Sequence, residues 1–277
     1  MRNYMRKKFT LLELTVVMLI VGVILSLSLV GLDKLVTAES LNTAAGKLDS
    51  AVLLSRSLAT NTIKPDSSGE PLYVALLLPD TDKFREKGGE PCRSYRICYV
   101  DKDYKFNSWI NGQEWTTFAP GVVIAGALKN GTADQRKNPM GNGSDDDINY
   151  KLKNDNKNID VLERVSDTKF NAYKTSKGYD PNELTNKGLI SDVPGNKDNN
   201  YDCPGIVFNR YGNVINAADL CLLLTEGYVL QADNKEVTFR FKNIFQIGKN
   251  NYLSNWVEVP LNIFSGKTQL RFQGADK

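Results

Sequence analysis

The chain has 277 residues, 41% of them hydrophobic and 24% charged, the composition of one or two folded domains and not of a disordered or fibrous chain. It contains no histidine, which excludes Ser-His-Asp and Cys-His nucleophile systems and every histidine metal site. The formal charge of +3 gives no case for nucleic acid, because removing the four cations Arg2, Arg6, Lys7 and Lys8 leaves −1.

Those four cations stand just before the first element. From Leu14 to Leu32 no residue is charged, and as a helix this stretch extends about 28 Å, close to the thickness of a bilayer's hydrocarbon core. It predicts a single membrane span of about residues 9–32, with a cytoplasmic N-terminus and the remainder outside. The run is too long for a cleavable signal's apolar core, and Glu13 lies inside its start, where a lone carboxylate needs a partner. Lys8-Phe9-Thr10-Leu11-Leu12-Glu13-Leu14 resembles the class III signal of type IV pilins and type II secretion pseudopilins: a basic leader, a scissile bond, then F-T-L-x-E-L opening a long apolar helix. The resemblance implies a leader of residues 1–8, cleavage by a prepilin peptidase after Lys8, and N-methylation of Phe9. It also implies that Glu13 meets the N-terminal amine of a neighbouring subunit during assembly. Lys8 stands where that family has Gly, and the family's mid-helix proline is missing near Val30 and Gly31.

Leu35, Leu41, Ala45, Leu48, Val52, Ser55 and Ala59 continue at mainly three- and four-residue steps, with no proline before Pro65. One helix is therefore expected from Phe9 to about Asn61, about 80 Å long, its second half packed on a globular head. Leu48, Ala51, Ser55, Arg56, Ser57 and Ala59 resemble the segment before the first strand in the GspH/FimT branch of minor pseudopilins.

Lys64 to Pro71 is polar and turn-rich and closes the helix; residues 62–277 then read as a β-rich periplasmic head. Leu72–Leu78 suits a buried strand, Ser94–Val100 alternates with Tyr95, Ile97 and Tyr99 on one side, Trp109–Trp115 centres a hairpin on Asn111-Gly112, and Gly121–Leu128 is another strand. Between about 129 and 203 the chain turns to Asn, Asp, Lys and Gly and reads as a polar insertion, with a short helix at Asp160–Lys177. Its runs Asp145-Asp146-Asp147 and Asn154–Asp160 offer oxygen ligands, yet neither has EF-hand spacing, so solvated loops are expected and no metal is assigned. From Gly205 strands resume: a hairpin about Tyr211-Gly212-Asn213, a buried strand at Leu220–Thr225, then Val237–Ile247 and Asn255–Ile263, with Pro260 marking an edge. Ser265-Gly266-Lys267 turns into a last strand at Thr268–Phe272. The I-x-F-x-x-x-G pattern at Ile206 to Gly212 and the closing Gly266-Lys267 again resemble GspH/FimT domains.

Cys92, Cys98, Cys203 and Cys221 fall in the part placed outside the cytoplasm, where disulfides persist. Of three possible pairings, the sequence-local ones are expected, Cys92 with Cys98 and Cys203 with Cys221; a zinc site is the alternative, although no C-x2-C spacing occurs. Carboxylate pairs such as Glu86 with Glu90 have nothing nearby to tune them, and no Gly-rich run has phosphate-binding form, so no enzyme, catalytic residue or cofactor is expected.

The expected fold class is α+β and pilin-like: a long N-terminal helix, its first half transmembrane, packed on an antiparallel β-sheet head. The implied function is a non-enzymatic minor pseudopilin or pilin in a type II secretion pseudopilus or type IV pilus. Its partners would be other pilin subunits, the prepilin peptidase and the bacterial inner membrane, with no small-molecule substrate. Two alternatives remain: an unprocessed, membrane-tethered periplasmic head, and a DNA-binding minor pilin resting on Lys267, Arg271 and Lys277.

Overall fold

A computed structural model describes residues 11–61, 65, 69–129, 151–155, 159–162, 189–196, 199–216, 220–232, 237–242, 244–247, 250–253, 255–262 and 264–272. The chain divides into two compact units, Met1–Glu39 and Ser40–Lys277. Helix α1 is Leu11–Asn61. In the first unit its side chains at Leu14, Val16 to Val21 are exposed. In the second unit Leu41, Ala44, Ala45, Leu48, Ala51, Val52, Ser55 and Ala59 are buried, the three- and four-residue spacing of one helix face. The Ser55 hydroxyl on that face donates to Ala51 O at 2.7 Å, which lets a polar residue enter the core.

The described residues of the second unit form sixteen strands, numbered in chain order: β1 Tyr73–Leu77, β2 Ser94–Val100, β3 Phe106–Trp109, β4 Thr116–Thr117, β5 Val122–Lys129, β6 Lys151–Asp155, β7 Ile159–Leu162, β8 Leu189–Pro194, β9 Asn200–Phe208, β10 Leu220–Ala232, β11 Val237–Phe241, β12 Ile244–Ile247, β13 Asn250–Leu253, β14 Trp256–Asn262, β15 Lys267–Thr268 and β16 Arg271–Phe272. All the strand pairs among them are antiparallel. They form three sheets. The first runs β3-β2-β1-β9-β8 with β4 beside β2; the second runs β11-β10-β14-β15 with β5 on β10 and β16 on β14; the third is β12-β13-β6-β7.

The first sheet curls until its ends meet. Lys105 and Ser191 form a parallel bridge, and Ser191 N–H donates to Tyr104 O at 3.0 Å, tying the start of β3 to β8. Tyr104 and Asp192 reach that seam with φ of 60° and 61°, and Asp101 Oδ1 accepts from the amides of Asp103 and Lys105 to hold the turn. Alternation along the strands then separates two faces. Ala75, Leu77, Cys98, Val100, Ile190 and Val207 fill the inside of the curl. Val74, Leu76, Ile97, Tyr99, Ile206 and Phe208 face outward onto α1 and onto one face of the second sheet, including Ile124, Leu222 and Val259. The other face of the second sheet makes a smaller core around Leu223, Trp256, Phe239 and Phe241. β1 is buried on both faces, which explains its unbroken apolar sequence.

The pilin-like fold class is corrected. Among the described residues strand outweighs helix, 45% against 26%, and the strands form three sheets, one of them curled on itself, where a single sheet under a helix was expected. The membrane span expected at about residues 9–32 is corrected with it, and so is the single-pass inner-membrane placement: no helix among the described residues is long and apolar enough to cross a membrane.

Several strand expectations change for local reasons. The Asn111-Gly112 turn, with Gly112 at φ 76°, does not pair its flanks into a hairpin; β3 and β4 both lie along β2, Trp109 opposite Cys98 and Thr117 opposite Ser94. Pro260 is not on an edge, since β14 is paired with β10 on one side and with β15 and β16 on the other. Its missing N–H faces the place where the outer partner breaks in two, and Gln269 N–H still donates to Pro260 O at 3.2 Å. Within the polar segment Leu189–Pro194 supplies a strand of the first sheet, with Ile190 and Val193 buried. Of the helix expected at Asp160–Lys177, residues 160–162 belong to β7 and 163–177 lie outside the described residues.

Candidate functional site

Lys8 and Phe9 lie outside the described residues, as does the side chain of Glu13. What the structure supplies next to them is the surface of α1 from Leu14 to Val21. At about 100° per residue, consecutive exposed positions point in every direction, and Leu14, Val16, Val17, Met18, Leu19, Ile20 and Val21 are all exposed. A helix that is apolar all round is a helix made to be surrounded, and this surface exceeds the scattered apolar residues of an ordinary monomer.

At the other end of α1, two turns of like chemistry close on Arg56. Asn209 Oδ1 accepts from the amides of Tyr211 and Asn213, and Gly212 follows at φ 77°. Asn262 Oδ1 accepts from the amides of Phe264 and Ser265, and Gly266 follows at φ 60°. Any side chain on either glycine would run into Arg56, so the turns can approach the helix only because both are glycine. Tyr211 and Phe264 are left exposed beside them. One strand later the Thr268 hydroxyl donates to Asp49 Oδ1 on α1. Among the tail cations, Lys267 is exposed, while Lys277 and the side chain of Arg271 lie outside the described residues.

All four cysteines are buried, and none is in a disulfide. Cys98 lies on β2 and Cys203 on β9, both inside the curl of the first sheet, whereas Cys92 belongs to the core behind the second sheet. Cys92 precedes β2 and Cys98 lies within it, so strand geometry carries them well past the about 7 Å that a disulfide spans between Cα atoms. Cys221 sits on β10, in the second sheet, away from the pairing expected with Cys203. Burial pushes the Cys92, Cys98 and Cys203 thiols up, and Asp80 raises Cys92 and Cys203 further, so all three are protonated and weak nucleophiles. Glu90 pairs with Arg93 at 2.5 Å, and Glu86 is exposed on the preceding turn. Asp145-Asp146-Asp147 lies outside the described residues; Asn154 and Asp160 face each other at the end of the β6–β7 pair. Among the described residues no group of acidic, cysteine or histidine side chains could hold a metal ion.

One set of residues has no counterpart in the sequence reading. Arg96 sits opposite Leu77, so its side chain enters the inner face of the curled sheet, where β2 otherwise carries Cys98 and Val100. Its guanidinium stacks on Trp109, 3.8 Å from the ring centroid, donates from Nε to Gln113 O at 3.0 Å, and pairs through Nη2 with Glu114 at 3.3 Å. Trp109 continues into Trp115, Phe84 and Tyr201 at centroid spacings of 6.0, 6.0 and 6.3 Å, and Lys83 Nζ lies 4.1 Å over the Tyr201 ring. The available signal was an arginine in the phase of a strand that its neighbours mark as core.

No family model, no curated protein and no solved structure matches this chain.

Proposed function

We propose that the chain is a non-enzymatic structural subunit of a pilus-like filament, of the type IV pilus or type II secretion pseudopilus kind, matured after Lys8 and assembled through the start of α1. The observation that carries this reading is the run of exposed apolar side chains from Leu14 to Val21 directly behind Lys8-Phe9-Thr10-Leu11-Leu12-Glu13. Apolar surface on every side of a helix is stabilised by removal from water, and packing against the same segment of neighbouring copies removes it on every side at once. Glu13 would then lie among those helices, where a carboxylate needs a cation, and the Phe9 amine freed by cleavage in a neighbour is one.

Two measurements test this. Mass spectrometry of the N-terminal peptide from the native source is expected to show a methylated chain starting at Phe9; a peptide starting at Met1 removes the maturation step. Glu13→Val is expected to reduce recovery in sheared filaments by about tenfold or more, the weight of one charge-assisted contact, with unchanged circular dichroism. Equal recovery of variant and wild type rejects assembly through Glu13.

A further inference from the structure

Arg96 is an expensive residue to keep where it is. Its side chain is only 10% exposed, inside a sheet face otherwise lined by Cys98, Val100 and Leu77, and an apolar residue of similar volume would cost less to bury. Desolvation by that burial lowers its pKa, with Glu114 acting against the shift. Compensation comes from one carbonyl, one aromatic face and one carboxylate. Of these the carboxylate is the loosest: Glu114 is 84% exposed and approaches Nη2 at 3.3 Å, beyond the 2.7–2.9 Å of a strong charge-assisted bond.

The surroundings are those of a recognition site. Trp109 and Trp115 are half-buried. Gly89 lets Trp115 settle against Phe84, because a Cβ there would lie 2.8 Å from Phe84 Cβ and 3.1 Å from the Trp115 ring. The row of rings is thus fixed from behind, with a cation at each end, Arg96 on Trp109 and Lys83 on Tyr201.

We propose that Arg96, framed by Trp109 and Trp115, receives a carboxylate from an acidic segment of a partner protein in exchange for Glu114. Glu114 holds the place of that carboxylate in the free protein. The partner's acidic side chain takes the guanidinium, while an apolar neighbour in the same segment lies on the tryptophan rings and a second acidic residue approaches Lys83. Fixed aromatic surface beside a desolvated arginine is the composition of an interface hot spot. This site does not depend on the filament reading.

The test uses the purified full chain and a labelled, blocked peptide, acetyl-Asp-Leu-Asp-Leu-Asp-amide, with the Asn-Leu-Asn-Leu-Asn peptide as control, read by fluorescence anisotropy. The Asp peptide is expected to bind more tightly than the Asn peptide, with an advantage that shrinks as salt rises. Arg96→Met, which keeps the volume and removes the charge, is expected to weaken the Asp peptide about tenfold or more. Glu114→Gln removes the internal competitor at an exposed position that does not endanger the fold, and it is expected to tighten the Asp peptide severalfold. A role of Arg96 confined to clamping residues 110–115 would not produce that gain. Equal binding of the two peptides, or a Glu114→Gln protein that binds the Asp peptide no better than wild type, overturns the proposal.

Discussion

Gly266 and Gly112 both hold left-handed backbone, yet they stand in different surroundings. A Cβ on Gly112 would meet nothing within 4 Å, whereas one on Gly266 would fall inside the contact distance of Gly212 O and lie 3.0 Å from Arg56 Cδ. Gly112→Ala is therefore expected to cost only the conformational penalty, about 1–2 kcal/mol. Gly266→Ala adds overpacking against backbone that cannot move aside, about 1–3 kcal/mol more. Urea denaturation of the two variants checks the difference, and equal losses would mean that the two turns do not hold the helix as the geometry indicates. The sequence showed both turns, because Tyr211-Gly212-Asn213 and Ser265-Gly266-Lys267 are local turn chemistry. It did not show that the two turns meet at Arg56, which depends on sheet pairings of residues far apart in the chain. Arg96 was hard to read for a related reason: Tyr95, Ile97 and Tyr99 mark one face of β2 as core, and it is the curl of the sheet that makes the face of Arg96, Cys98 and Val100 interior as well.

Among the elements, α1 and β15 are joined by a contact that titrates. The Thr268 hydroxyl donates to Asp49, and burial raises the Asp49 pKa above its ordinary 3.8, with no charged neighbour offsetting the shift. A carboxyl group whose pKa is raised on folding favours the folded state fully below its unfolded value, and that contribution is lost as pH rises through the folded value. Asp49→Asn keeps an acceptor for Thr268 and cannot ionise. The difference in Tm between Asp49→Asn and wild type is therefore expected to grow as pH climbs from below 3.8 toward neutrality, and then to level off. A difference that is constant with pH would remove ionisation of Asp49 as the cause. The elements themselves were partly legible. The helical face from Leu41 to Ala59 and the buried run of β1 follow from spacing and apolar length. Pro260 misled because a missing N–H predicts an edge only when the neighbouring strand is continuous, and here that neighbour breaks at Gln269 and Leu270.

For the folded unit as a whole, the question is whether the two larger sheets unfold together. Each has a core of its own, and α1 packs on a third core that draws residues from both. The backbone stitches them at Cys92, whose N–H donates to Pro79 O at 2.6 Å and whose carbonyl accepts from Ile124 N–H at 2.7 Å; Phe118 N–H to Arg93 O at 2.7 Å lies beside it. Cys92 takes φ 54° to make both bonds, so the junction is held in a conformation that a cysteine in an isolated strand would not adopt. The sequence offered Cys92 as half of a disulfide. Its part in the structure is instead to bond the connection between β1 and β2 to β5 of the second sheet. This arrangement predicts a single cooperative unit, and the thiols report on it from both sides. Cys98 and Cys203 lie inside the first sheet; Cys92 and Cys221 belong to the second sheet and its core. Buried and protonated, they are expected to resist iodoacetamide in the native protein and, in mild urea at fixed pH, to become alkylated with one common time course, because opening either sheet breaks the shared core under α1. Peptide mass spectrometry resolves the sites. A separate, faster phase for Cys98 and Cys203, or for Cys92 and Cys221, would show that one sheet opens while the other stays closed, and the shared core would then not be what makes the two sheets one cooperative body.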